Sequence, residues 1–526
     1  MNTKINITIQ KSNNEDPLIL QCAEGTNLLE AMNAQGINYP ADCGGRGTCG
    51  KCKIQVIAGT LDITEQDIRI FTEKELEEGF RLSCNAYPRQ DCTISLLSEV
   101  ETDYVAITDY KINRAQAKDQ VNLAEQTKSV DHRYIMAIDL GTTTIAFSLV
   151  DATDKQMVKT HTMVNRQKAY GADVISRIKA SNEGKSQLLR DIILEELYQG
   201  FQTIIDEAEI QPEEVLGIAI AGNTTMGHLL LGYSCETLGV YPFVPVNIGT
   251  VRLNFEELFK ERYQIPIIVL PGISAFVGGD ITAGLLACGF DYAEKPCLFI
   301  DLGTNGEMAL GNKDRILVAS TAAGPAFEGG NISSGVGSLP GAISHVTISA
   351  DKPIYETIGG KPPIGICGTG LIDIVSELFK AGLMDDTGLL VEAHFEKGYT
   401  IEGITLTQRD IRELQLAKAA IHAGIEILIK QYGTTYQQID KVYLAGGFGY
   451  KMDIAKAVHI GLIPEELVEK IEAVGNTSLA GAIQYLTDTN SVESIEHILS
   501  VSEEINLSND SDFNDIYVSR MSFDHK

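Results

Sequence analysis

Cys43-Gly-Gly-Arg-Gly-Thr-Cys49-Gly-Lys-Cys52 is the stretch from which the rest of the chain is read. Four glycines in ten residues exclude an ordinary helix or strand, because each costs roughly 0.5–1 kcal/mol relative to alanine inside regular structure. The loop therefore needs a fastening that local propensity does not supply. Thiolates bound to a metal centre provide one, and glycine lets backbone N–H groups approach inorganic sulfur with no Cβ in the way. A fourth thiol, Cys84, follows in Arg-Leu-Ser-Cys-Asn. Four cysteines suit an iron–sulfur cluster or a tetrahedral zinc ion. Zinc sites usually present two short Cys-x2-Cys pairs, and only Cys49 and Cys52 form one here, which favours the cluster. Disulfides fit least well.

The spacing Cys43-x5-Cys49-x2-Cys52, with a distant Cys84, is one residue longer in its first gap than the plant-type [2Fe–2S] pattern. It resembles the [2Fe–2S] ferredoxins of the vertebrate and hydroxylating-system type. That resemblance implies that Cys43 and Cys49 share one iron and that Cys52 and Cys84 share the other.

At 526 residues the chain exceeds what one core supports, so several domains are expected. An apolar content of 44% is that of a globular protein. The most apolar stretch, 265–277, is broken by Pro266, Pro271 and Gly272, which argues against a membrane span. The amino terminus lacks a signal-peptide core, so a cytoplasmic location is expected, and a reducing compartment suits thiols that serve a cluster. Cys22, Cys92, Cys235, Cys288, Cys297 and Cys367 stand singly among apolar or small residues and read as buried hydrophobes. A formal charge of −29 repels nucleic acid and anionic membrane alike. Any phosphate site must therefore be local.

Residues 1–98 read as a small α+β unit. Ile5, Ile7 and Ile9 alternate with polar positions as in a half-buried strand, Leu18–Cys22 is a hairpin partner, and Thr26 caps a short helix. Further strands at Lys53–Ile57 and Cys92–Leu97 complete an order that resembles the ferredoxin β-grasp fold. Residues 99–132 are polar and aperiodic and read as a linker. From Tyr134 the pattern becomes α/β, with 133–292 and 293–526 as two halves of one design. Tyr134–Asp139 is an apolar run ending in aspartate and followed by Leu-Gly-Thr-Thr-Thr; Cys297–Asp301 repeats it, followed by Leu-Gly-Thr-Asn-Gly. Ile-Asp-Leu-Gly-Thr thus occurs at 138–142 and again at 300–304. The duplication predicts two similar lobes, each giving one loop to a shared cleft.

A strand ending in aspartate sets a carboxylate at the sheet edge, where it can hold Mg²⁺ or its waters, since magnesium takes only one or two protein carboxylates. The Gly-Thr turn behind it aims N–H groups and hydroxyls at phosphate oxygens. One such turn alone is ordinary; two, each after an apolar strand, predict Asp139 and Asp301 facing each other across a nucleotide. Gly141, Thr142, Thr143, Gly303, Thr304 and Asn305 are then the phosphate-side residues. Gly446-Gly447-Phe448-Gly449, after the strand Lys441–Ala445, is expected to let backbone approach adenosine, although by itself it reads as a plain strand-to-helix turn. Val215–Ala221 enters Gly222-Asn223-Thr224-Thr225 in the same manner, and Gly475-Asn476-Thr477 precedes a further helix. Thr407–Ile429, opened by the capping pair Thr407 and Asp410, is the clearest helix of all. The glycine- and serine-rich segment 324–341 suits a site-lining loop or a plain surface loop equally. His161, His228, His345 and His422 are isolated and read as structural.

The paired Asp-Leu-Gly-Thr loops and the late Leu-Ala-Gly-Gly-Phe-Gly resemble the two phosphate motifs and the adenosine motif of the superfamily that joins acetate and sugar kinases, Hsp70 and actin. Preceded by a [2Fe–2S] domain, nearly the whole chain resembles the reductive activators of corrinoid proteins, down to Asp512-Phe-Asn-Asp, Tyr517 and Phe523 near its end. The resemblance implies a multidomain protein, an α+β β-grasp ferredoxin domain followed by a two-lobed α/β actin-like (RNase H-like) ATPase. Its cofactors would be a [2Fe–2S] cluster, ATP and Mg²⁺, with Asp139 and Asp301 organising the metal ion and the attacking water. It further implies an ATP-hydrolysing activase that passes a low-potential electron to the Co(II) corrinoid of a partner protein and restores Co(I). An external electron donor would feed it, and it would act as a homodimer. Three other readings stay open. One is an activator of a radical dehydratase, against which the absence of a [4Fe–4S] cysteine arrangement counts. The others are a small-molecule kinase with a redox switch and a non-catalytic sensor of nucleotide and redox state.

Overall fold

The computed structural model describes residues 4–10, 17–37, 39, 41, 43–97, 108–110, 133–303, 305–349 and 352–523. Ile5, Ile7 and Ile9 are buried while the residues between them face outward. That period of two makes the strand Lys4–Gln10, which pairs antiparallel with Leu18–Ala23 and parallel with Cys92–Leu96. Lys53–Ala58 and Phe80–Leu82 complete a five-stranded sheet. The helix Leu28–Ala34 packs Leu28, Leu29 and Met32 into the same core. Its cap is Asn27 and not Thr26: the Asn27 side chain accepts from Glu30 N at 3.1 Å while its Nδ2 donates to Cys84 O at 2.8 Å. The asparagine carboxamide does both from separate atoms, its carbonyl oxygen accepting and its NH₂ donating. The helix start is thereby tied to the turn that carries the fourth cysteine.

Two six-stranded sheets follow, and five strands of each share one plan. In the first, the spatial order is Val251–Asn254, Pro266–Val269, Val215–Gly222, Tyr134–Leu140, Thr144–Asp151, Met157–Val164. In the second it is Ile471–Gly475, Val442–Ala445, Cys297–Leu302, Gly306–Asn312, Arg315–Thr321, Ser502–Glu504. Tyr134–Leu140 and Cys297–Leu302 hold equivalent places, each with an antiparallel neighbour on one side and a parallel one on the other. Both are buried almost throughout, as central strands covered on two faces must be. The aspartate of each stands near its end, where the sheet meets the cleft.

The lobes are not separate bodies. Helices Gly279–Ala287 and Thr477–Thr487 pack so closely that a Cβ on Gly481 would fall 2.0 Å from Ala283 O. Residues of both halves, among them Ile135, Phe299, Leu285 and Leu479, form one core beneath the cleft. Of the expected linker, only 108–110 lies within the described residues. Tyr110 bridges to Gly475, and Asp109 O accepts from Asn476 N at 3.0 Å. The long helix is observed at Gln408–Tyr432 with Thr407 and Asp410 as its capping box. No described helix is long and apolar enough to cross a membrane.

Candidate functional site

Gly44, Gly45, Gly47 and Gly50 of the cysteine loop all have positive φ, the region that other residues rarely enter. Gly47 also has no room, since a Cβ there would lie 2.4 Å from Asn85 Nδ2. At Gly45 the nearest atom to such a Cβ would be Cys84 Cβ at 4.0 Å, which leaves space above the thiols. Cys43, Cys52 and Cys84 are buried, Cys49 is half-buried, and all four are free. Cys52 Sγ and Cys84 Sγ lie 3.2 Å apart, and Asn85 Nδ2 donates to Cys84 Sγ at 3.2 Å. Hydrogen bonds shared with Cys49 and then Cys84 pull the Cys43 thiol below the usual range, and one shared with Cys84 pulls Cys52 down. Cys49 and Cys84 are pushed up in turn. Cys43 thus contacts both Cys49 and Cys84, and Cys84 also contacts Cys52, so the four thiols form one connected group. Four neighbouring thiols, no three of them on one ion position, with a side-chain amide aimed at a sulfur, fit a [2Fe–2S] cluster, in which each iron takes two cysteines.

Between the two sheets lies a cavity of about 750 Å³, within the range that encloses sizeable small molecules. Asp139, Gly141, Thr142, Thr143, Asp301, Gly303 and Asn305 line it, with Gly446, Gly447 and Phe448. Thr304 lies outside the described residues. Gly449 does not reach the cavity; a Cβ there would meet Leu444 Cγ at 2.8 Å, so its small size serves packing against its own strand. Gly446, at φ +81°, leaves room for the acid beside it, because a Cβ would sit 2.6 Å from Asp301 Oδ1. Phe448 stacks on Phe327 at 4.9 Å between ring centres.

The first turn is braced from three sides. Asn223 Nδ2 donates to Thr142 Oγ1 at 2.8 Å and Asn165 Nδ2 to Gly141 O at 2.9 Å. The wholly buried Arg177 donates to Thr142 O, and from Nε to Gly171 O at 2.8 Å. Burial lowers its pKa to about 9, which leaves it charged at neutral pH. Asp139 is held across the cleft by Asn476 Nδ2 at 2.8 Å and Ser478 Oγ at 2.9 Å; burial nevertheless raises its pKa.

Two further carboxylates share the cavity wall and were not singled out in the sequence. Asp280 starts the helix Gly279–Ala287, and Glu307 stands directly opposite Asp301 on the paired strand. Burial, with the charges of neighbouring acids, pushes Asp280 and Asp301 up to about 7 and Glu307 well above its ordinary value. These groups face the cavity yet are screened from bulk water. A cation among them would lift the repulsion. Among the described residues no three His, Cys, Asp or Glu side chains converge on one ion position, so a cation here would rest on one or two carboxylates plus water, as magnesium does. Of the segment 324–341, Glu328, Gly337 and Ser338 line the cavity, whereas Asn331 turns to Glu413 at 3.4 Å.

Comparison with known proteins agrees with this arrangement. Residues 12–89 match the 2Fe-2S iron-sulfur cluster binding domain, 134–293 the RACo middle region, and 295–526 the C-terminal ASKHA domain of RACo. The corrinoid activation enzyme RamQ of Eubacterium limosum is 34% identical over 418 residues, which covers 74% of this chain and 70% of that protein. The chain belongs to the RACo family of reductive corrinoid activators. A further member, the [Co(II) methylated amine-specific corrinoid protein] reductase of Methanosarcina barkeri, is 28% identical over 424 residues, covering 74% of this chain and 77% of that one. The solved structure of a reductive activator for corrinoid, iron-sulfur protein superposes over 98% of both chains, with 29% identity and a TM-score of 0.70. The RACo fold, a cluster-binding domain joined to an ASKHA domain, is therefore the fold of this chain.

Proposed function

We propose that this protein is an ATP-dependent reductive activator that returns the Co(II) corrinoid of a partner protein to Co(I). The observation that carries the reading is the presence, in one chain, of a four-thiol loop and a cleft walled by two aspartate-ended strands. Residues 1–98 would carry the electron, 133–292 and 293–526 would enclose the nucleotide, and 99–132 would connect them. Cys43, Cys49, Cys52 and Cys84 hold the [2Fe–2S] cluster, which when bound supplies one-electron transfer at low potential. Asn85 donates to the Cys84 sulfur and Asn27 fixes the turn behind it.

In the cleft, Thr142, Thr143 and the turn at Gly303 and Asn305 bind phosphate, and Gly446, Gly447 and Phe448 border the nucleoside. Asp280 and Glu307 are the residues that would hold Mg²⁺ and its waters, whose charge would offset theirs and that of the phosphates. Asp139, fixed by Asn476 and Ser478, keeps the first phosphate turn in register with the second lobe. Asp301, beside Asp280 and Glu307 in the cavity wall, is the acid left to orient the attacking water and take its proton.

The coupling has the right size. A donor near about −400 mV facing an acceptor on the order of 100 mV lower is short by about 2.3 kcal/mol per electron. Coupling between two ligand sites commonly supplies about 1–3 kcal/mol. Nucleotide-dependent binding of the partner offsets most of the gap. A cytoplasmic setting, an external low-potential donor and a second copy of the chain complete the reading, on the family resemblance alone.

The test mixes the reduced protein with a Co(II) corrinoid protein and follows the cobalt absorbance with and without MgATP. Faster or more complete conversion to Co(I) with MgATP is expected. A rate and an extent both indifferent to MgATP would defeat the reading.

A further inference from the structure

The cysteine loop touches both lobes of the nucleotide cleft. Arg46 belongs to the loop itself, for its Nε donates to Cys43 O at 2.8 Å, and its Nη2 donates outward to Ser176 Oγ at 3.4 Å. Ser176 lies on the helix Val174–Ala180, whose next residue, Arg177, grips the carbonyl of Thr142 in the first phosphate turn. The loop backbone presses on the same region, since a Cβ on Gly44 would fall 2.9 Å from Gly171 Cα. Nearby, Lys185 pairs with Glu30 at 2.7 Å.

On the other side, Lys51 Nζ donates to the carbonyls of Ile332 and Gly335 at 3.3 and 3.4 Å. Those carbonyls lie in the segment whose Glu328, Gly337 and Ser338 line the cavity. Ser333, between them, is fastened through N–H and Oγ to Asp410 Oδ1 at 2.7 and 3.0 Å, so the segment moves with the second lobe.

One cation of the loop thus rests on each lobe. Only Gly47 to Gly50 separate Arg46 from Lys51, and thiol ligands stand within and on either side of that span. A span so short, held at Cys43, Cys49 and Cys52, cannot stretch. Both contacts are met at one separation of the lobes and not at another. The first-lobe side includes a close backbone approach and an ion pair, whereas Lys51 reaches the carbonyls of the second lobe through one flexible side chain at 3.3 and 3.4 Å. When the separation changes, the Lys51 side yields.

We propose that Arg46 and Lys51 are positioning residues that seat the ferredoxin-type domain across both lobes, and that closure of the cleft on nucleotide breaks the Lys51 contact and frees the thiol-bearing face for the electron acceptor. This rests on the functional reading above. One electron then leaves the reduced domain and converts the partner's Co(II) to Co(I), and the external one-electron donor restores the domain.

Lysine-directed chemical labelling of the cluster-loaded chain, read by mass spectrometry, follows the contact without any corrinoid. With Mg²⁺ and a non-hydrolysable ATP analogue bound, Lys51 should label at least about fivefold faster, the lower end of ordinary coupling between sites, while Lys185 stays constant. Unchanged Lys51 labelling with the analogue shown bound by equilibrium dialysis overturns the proposal. Accelerated labelling with no effect of MgATP on Co(II) reduction supports the seat and sinks the functional reading instead. In Lys51→Ala, Co(II) reduction without nucleotide should rise toward the rate with ATP, at unaltered ATP hydrolysis and visible spectrum, and Lys51→Arg should restore the dependence. A Lys51→Ala chain that keeps the wild-type ratio of the two rates overturns it as well.

Discussion

The two Asp-Leu-Gly-Thr loops share sequence, strand position and cavity, yet their aspartates live differently. Across the strand pair from Asp139 stands Ala146; across from Asp301 stands Glu307. Asp139 receives two hydrogen bonds from the opposite lobe. Asp301 is acted on by burial and by the carboxylates of Asp280 and Asp139. Like charges facing across a strand pair destabilise it, so the second loop is strained toward binding a cation, whereas the first is already satisfied by protein. A repeated motif thus yields a fastened acid that joins the lobes and a frustrated acid left for chemistry.

The largest consequence lies in activity. Asp301→Asn should lower ATP hydrolysis about 10²–10⁴-fold, the usual contribution of a positioned acid–base group, while leaving the fold intact. Asp139→Asn should act the other way round, costing about 1–3 kcal/mol of stability because an amide nitrogen would face the Asn476 or Ser478 donor, with a smaller loss of turnover. Steady-state hydrolysis and chemical denaturation of the two variants side by side check the contrast. Equal losses of turnover at equal stability would erase the distinction between the loops.

Much of this was legible in the chain, for identifiable reasons. The cysteine ligands and the twin loops are local patterns, in which spacing and an apolar run before an aspartate carry the signal. Glu307 was within reach, since Leu302 pairs with Gly306 and the next rung of the ladder sets the glutamate opposite Asp301. Asp280 carries no such mark; a lone acid after Gly278-Gly279 looks like an ordinary first-turn residue, favourable near a helix N-terminus. Asn476 and Ser478 reach Asp139 over a separation of more than three hundred residues, and Arg177 braces Thr142 from a helix of another element. Pairings of that kind come from topology, which no local spacing encodes. The same holds for Asn27, which takes the cap that the sequence pattern assigns to Thr26 because its side chain also reaches Cys84 O.

The frustrated side should show itself in pH dependence. Asp280 and Asp301 have folded-state values raised to about 7, against about 4 for an unfolded aspartate. A group raised in this way contributes stability that is fully present below about pH 4 and is lost as pH rises through about 7. The metal-free, nucleotide-free protein should therefore lose stability between those limits. Asp280→Asn removes one of the charges, so its advantage over wild type should grow across the same window to about 1–3 kcal/mol above pH 7. Thermal melts at pH 5 and pH 8 measure this, and Mg²⁺ with ADP should narrow the gap by stabilising wild type alone. A pH-independent difference would mean that the acids are not the source of the strain.

The smallest effect tests the fastened side. Ser478→Ala removes one of the two donors to Asp139, the hydroxyl at 2.9 Å, and leaves Asn476 in place. A hydrogen bond to a charged group is worth about 1.5–3 kcal/mol, and the cavity at hand lets water replace part of it, so a loss nearer 1 kcal/mol is expected. Because Ser478 belongs to the second lobe and Asp139 to the first, part of that loss should appear as weaker nucleotide binding and not only as a lower melting temperature. Isothermal titration with ADP at fixed Mg²⁺ separates the two. Should affinity hold while stability falls, Asp139 would be an anchor of the fold alone. Loss of both ties the fastened acid to the closing of the cleft, which is the role its bonds across the lobes suit.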